Sequence, residues 1–125
     1  MSGFRQPGQQ GELIVTTAAA LAVTAHDAGK TVCNVGSSTN LTLTFDSAAT
    51  FRPGDQVRVL SCAATTVTCA FTAGQLITFN NVAATSVALS TSSEIIGGGF
   101  LFTCVSGAKW HCSTLCEETQ TVTVA

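Results

Sequence analysis

The segment Leu41-Thr42-Leu43-Thr44-Phe45 alternates apolar and polar residues at period two, which places Leu41, Leu43 and Phe45 on one face of a strand. A helix cannot bury that pattern, because its faces recur every three or four residues. Similar short runs, rich in Thr, Val, Ile and Phe, cover residues 13–17, 20–25, 31–35, 56–62, 67–72 and 76–80. Others cover 86–89, 99–105, 108–113 and 121–125. Turn chemistry separates them, as in Asp27-Ala28-Gly29-Lys30, Gly36-Ser37-Ser38 and Arg52-Pro53-Gly54-Asp55. Residues 18–22 are the only helix-like stretch, and β-branched Thr and Val flank them. The expected fold is all-β, a small antiparallel β-sandwich or barrel of about eight to ten short strands. Residues 12–125 form one domain, and residues 1–11 form an extended N-terminal arm whose only apolar anchor is Phe4.

Charge is the second constraint. Only 10% of the residues are charged, against roughly 25% in ordinary globular domains. Five basic and seven acidic side chains give a formal net charge of −2. The surface must therefore be largely Thr, Ser, Ala, Asn and Gln, a neutral skin suited to burial against other subunits. Arg5, Lys30, Arg52, Arg58 and Lys109 are scattered, so no nucleic-acid partner is expected. The longest apolar stretch, residues 18–25, is far short of a membrane span. Residues 1–11 lack the apolar core of a secretory signal, so synthesis in a cytoplasm without export by the usual signal is expected.

Catalytic constellations are sparse. His26-Asp27 is the one adjacent His–carboxylate pair, and no Gly-x-Ser-x-Gly elbow accompanies it. The alternative is that Asp27 begins a turn while His26 ends a strand. Seven carboxylates could in principle supply a glycosidase pair, but the chain holds one Trp and no Tyr for sugar platforms. Gly97-Gly98-Gly99 precedes a strand rather than a helix, and reads as a flexible lead into that strand rather than a phosphate loop. No enzyme activity and no cofactor is expected.

Six cysteines, Cys33, Cys62, Cys69, Cys104, Cys112 and Cys116, admit several readings. His111, Cys112 and Cys116, with Cys104 as a fourth ligand, form one imperfect zinc knuckle. Cys62, Cys69 and Cys104 fall inside strand-like runs and suit buried free thiols. Disulfides formed in an oxidising exterior are the third reading: Cys62 could face Cys69 across a hairpin, and Cys112 and Cys116 could close a small loop.

Several segments in sequence order carry a resemblance: residues 23–32 with Asp27-Ala28-Gly29-Lys30-Thr31, Leu41–Phe45, residues 51–59 with Pro53-Gly54, and residues 102–110 with Ser106-Gly107-Ala108-Lys109-Trp110. This order is similar to small β-domains in virion proteins of tailed bacteriophages, most of all capsid decoration (cement) proteins. Phe45-Asp46 departs from the Leu-Pro common there, and the cysteines are unusual. The resemblance implies a homotrimer on the outer capsid surface of the virion, bound to the major capsid protein and stabilising the head. The arm, with Phe4, Arg5, Gln6 and Pro7, would then lie across the capsid. Trp110 would either plug the core or seal a subunit contact. The alternative is a tail or fibre-tip module that binds a host-surface carbohydrate.

Overall fold

The computed structural model describes residues 12–117 and 119–125. The arm residues Phe4, Arg5, Gln6 and Pro7 lie outside the described residues. Two mixed sheets pack face to face. In chain order the strands are β1 (Leu13–Val15), β2 (Ala20–Val23), β3 (Thr31–Cys33), β4 (Leu41–Phe45), β5 (Gln56–Leu60) and β6 (Val67–Ala70). Then follow β7 (Leu76–Thr78), β8 (Asn81–Ala84), β9 (Ser86–Leu89), β10 (Gly99–Ser106), β11 (Lys109–Thr114) and β12 (Thr123–Val124). Single 3-10 turns occupy Ala25–Asp27 and Ala48–Thr50.

The all-β sandwich expected from the sequence is present, but its ladders are not uniformly antiparallel. The larger sheet runs β1-β3-β5-β10-β11-β7-β8, and the smaller runs β12-β9-β6-β4-β2. Through β6 the chain changes sheet at every connection. Each strand lands parallel to the one two places earlier, so β1, β3 and β5 stack in one sheet and β2, β4 and β6 in the other. The result is a coil of three rungs. The second half supplies the antiparallel pairs, β7–β8, β10–β11 and β6–β9 among them.

Alternation puts one side of every rung into a shared core. Leu41, Leu43 and Phe45 point inward from β4 while Thr42 and Thr44 face solvent. Opposite them stand Val57, Val59, Phe100, Phe102 and Trp110. The centre is aromatic: Phe45 stacks on Phe71 at 4.3 Å between ring centroids, and Trp110 meets Phe51 edge-on at 4.6 Å. Trp110 is fully buried there and makes no surface available to a partner. Of its two expected roles, it takes the core plug.

β8 is a strand without a period-two signal in the sequence. Asn81-Val82-Ala83-Ala84 lacks alternation because three of its four side chains are exposed. A two-residue turn, Phe79-Asn80, folds it back on β7, with Thr78 opposite Asn81. Both turn residues have positive φ, 47° at Phe79 and 63° at Asn80. Such turns suit the twist of a hairpin and favour Asn or Gly. Asn80 fits that rule, whereas a bulky Phe with φ of 47° does not.

Candidate functional site

Two regions combine exposure with unusual construction: the outer edge of β8, and a groove at one end of the sandwich. Among the described residues β8 pairs only with β7, so it is the end strand of the larger sheet, and the Ala83 amide donates to Asn81 Oδ1 at 2.8 Å. A bulge interrupts the ladder between Leu76 and Thr78. Behind it, Lys109 Nζ donates to the carbonyls of Gly74 at 2.6 Å and Val82 at 2.5 Å, which pins the hairpin to β11. The side chains of β8 itself include no charge and no proline, the usual protections against strand addition. The Lys109 ammonium on the Val82 carbonyl is the charge nearest at hand. Phe79 is 58% exposed and Val82 is 67% exposed. At the opposite end of the same sheet, β1 presents Leu13 and Val15, both about half exposed.

The groove encloses about 460 Å³. Its walls come from the 64–66 connection, the long β9–β10 loop and the segment after β11. Asn40 Oδ1 accepts the Thr66 amide at 3.0 Å, and Gln120 Nε2 donates to the Ile96 carbonyl at 3.0 Å. Ile95 anchors the loop in the core, while Ser93 turns it with φ of 70°. Hydroxyls of Thr65, Ser90, Ser92 and Ser93 share the rim with the carboxylates of Glu94 and Glu117. This lining suits a neutral, hydroxyl-rich ligand better than an anion. Among the described residues no aromatic side chain lines it to offer a sugar a stacking platform.

The residues singled out from the sequence do not converge. Asp27 Oδ2 accepts the Thr24 amide at 2.9 Å, and Lys30 lies 3.9 Å from Asp27 Oδ1. That carboxylate closes a turn, and His26 sits exposed beside it. His26 does not end a strand but lies within the 3-10 turn. His111 faces solvent and Cys112 faces the core, since neighbours on a strand point oppositely. Among the described residues, no group of three or more His, Cys, Asp or Glu side chains is close enough to hold a metal ion.

All six cysteines are free thiols. Cys62 does not face Cys69 across a hairpin, because the β5–β6 connection crosses between the sheets. Cys62 instead neighbours Cys33, and Cys69 neighbours Cys112, which in turn feels Cys116. The sequence signal that would have found these pairs is the parallel rung order, which residue spacing alone does not reveal.

Burial pushes the Cys112 thiol up to about 12, with Thr78 opposing that shift and Cys116 adding to it. Burial also raises Cys69 well above its ordinary value, with a smaller push from Cys112. Both thiols therefore hold their protons in the folded protein after the unfolded chain has begun to ionise near 9.0. Their contribution is complete below that pH and is lost as pH rises toward the folded value. Burial raises the Cys62 and Cys104 thiols as well, so they add to the same alkaline limb. Denaturation midpoints should hold steady to about pH 8.5 and then fall, by roughly 1.4 kcal/mol per pH unit for each buried thiol. A Cys69→Ala, Cys112→Ala variant should show a flatter alkaline limb.

No protein-family model matches the chain, and comparison with curated proteins finds no relative by sequence.

Proposed function

We propose that this protein is a structural assembly component whose copies join through the open edges of the seven-stranded sheet, and that it decorates a viral capsid as a trimer. The observation that carries this reading is Phe79. A large aromatic, more than half exposed, occupies a backbone conformation that Asn or Gly adopts far more easily. It sits beside an end strand whose own side chains are uncharged and mostly exposed. Strain and exposure of this kind persist where a contact outside the fold repays them. β1, apolar and also at an edge, offers the complementary surface on the next copy. Joining unlike edges head to tail gives a closed ring when the rotation closes. The capsid itself is inferred from the phage-like order of turns and strands, and the neutral surface supports burial in a lattice.

The test uses Phe79→Asn. It removes the exposed ring and places a residue tolerant of positive φ in the turn, so monomer stability should hold or rise by up to about 1 kcal/mol. The trimer should nevertheless dissociate, and occupancy on heads of the encoding phage should fall with it. Unchanged association and occupancy would count against the proposal.

The groove favours one second reading, a tail module that binds a host-surface glycan. A glycan panel decides it: specific binding abolished by Glu94→Gln supports that reading, and a blank panel removes it.

A further inference from the structure

The geometry points to a redox latch in which Cys33, at the end of β3, and Cys62, just past β5, form a disulfide that staples the second rung of the coil to the third. This inference is independent of the proposed assembly role.

β3 and β5 run parallel, with Cys33 opposite Leu60. Cys62 lies two residues beyond Leu60, on the same side of the ladder as Cys33. The strand ends there, yet its last contacts are held by a side chain. Asn34, fully buried, accepts the Cys62 amide on Oδ1 at 2.7 Å and donates from Nδ2 to Thr65 Oγ1 at 3.2 Å. Asn34 thus fixes the backbone of the 62–65 connection against the strand that carries Cys33. The ladder register and the Asn34 bridge together bring the Cys62 side chain toward that of Cys33 at the end of the β3–β5 pair. Beyond desolvation, Cys33 is the cysteine whose charge raises the Cys62 thiol.

The two sulfurs differ in access. Cys33 is 5% exposed, whereas Cys62 is an exposed side chain. A low-molecular-weight disulfide such as oxidised glutathione therefore reaches Cys62 first. The Cys62 thiolate attacks one sulfur of glutathione disulfide, forming the mixed disulfide and releasing one glutathione thiolate. Cys33 then yields its proton to solvent and attacks Cys62 Sγ, forming the protein disulfide and releasing the second glutathione. Two cysteine thiols are oxidised and one glutathione disulfide is reduced to two thiols. Desolvation of its sulfur, followed by the influence of Cys33, raises the Cys62 thiol, so the first step should quicken as pH rises through the alkaline range.

The latch has a structural consequence beyond the strand ends. Ala64, Thr65 and Thr66 form one wall of the groove. Oxidation would anchor that wall covalently to β3 in addition to the Asn34 bridge.

The full-length protein, incubated with oxidised glutathione under native conditions, tests the inference by non-reducing peptide mapping. The expected product is a cross-linked pair of peptides holding Cys33 and Cys62, with the protein two hydrogens lighter and its thermal midpoint raised by several degrees. Cys69 and Cys104, both buried, should stay reduced. In Cys33→Ser the reaction should stop at a glutathione adduct on Cys62. In Cys62→Ser, an exposed and conservative change, neither product should form and Cys33 should remain a thiol. A stable glutathione adduct on wild-type Cys62, a Cys62 cross-link to any other cysteine, or two unmodified thiols after prolonged exposure would each overturn the inference.

Discussion

Replacing Trp110 by alanine is expected to cost about 3–5 kcal/mol, a large part of the stability of a domain this size. Trp110 is fully buried, and its ring meets Phe45 at 5.6 Å, Phe51 at 4.6 Å and Phe71 at 5.8 Å. Phe51 follows the 3-10 turn at Ala48–Thr50, and Phe45 and Phe71 belong to the opposite sheet or its edge. Removing the indole therefore opens a cavity where the sheets and that turn converge, and rigid aromatic neighbours collapse poorly into such space. Trp110→Phe should cost far less. It keeps most of the ring volume and removes Nε1, which is buried with no acceptor among the described residues. Urea denaturation of both variants gives the comparison. Equal losses would mean that indole size is not what stabilises this site.

Gly99→Ala is the second large expected effect, and it comes from one methyl group. Gly99 pairs with Leu60 where β10 crosses β5. A Cβ added there would run into the Val59 carbonyl oxygen and crowd Leu60. The obstacle is backbone in the middle of the larger sheet, so it cannot swing aside as a side-chain tip could. Separating the strands would disturb the ladder that also aligns Phe100 with Val59 and Phe102 with Val57. The expected loss is about 3 kcal/mol, at the upper end of overpacking costs. Gly107→Ala is the control: a Cβ there meets nothing within 4 Å, and its denaturation midpoint should barely move. A tolerated Gly99→Ala would show that β10 and β5 can separate without loss.

These two positions also mark what could be read from the sequence and what could not. Period two located β4 and placed Leu41, Leu43 and Phe45 in the core, because alternation is a local property. It could not assign partners, since parallel and antiparallel strands share the same period. Spacing alone therefore suggests Cys62 opposite Cys69, whereas the parallel ladder carries Cys62 toward Cys33. Gly99 read as a flexible lead into β10 because close approach of another backbone leaves no trace in neighbouring residues. β8 escaped because its exposed side chains do not alternate, and Phe79 looked like the apolar end of β7 rather than a strained turn. The groove was invisible for a related reason: its walls come from Asn40, Thr65, Ser93 and Gln120, residues brought together only by the rung order. Asp27, by contrast, was legible as a turn carboxylate from Asp27-Ala28-Gly29-Lys30 alone.

The neutral edge at β8 gives the assembly reading its most direct test, the mass of the purified protein in solution by sedimentation equilibrium across a wide concentration range. The account predicts a trimer for the wild-type chain and a monomer for Phe79→Asn and Val82→Lys, with all three equally folded by circular dichroism. A wild-type protein that stays monomeric at every concentration, or variants that remain trimeric, would contradict it.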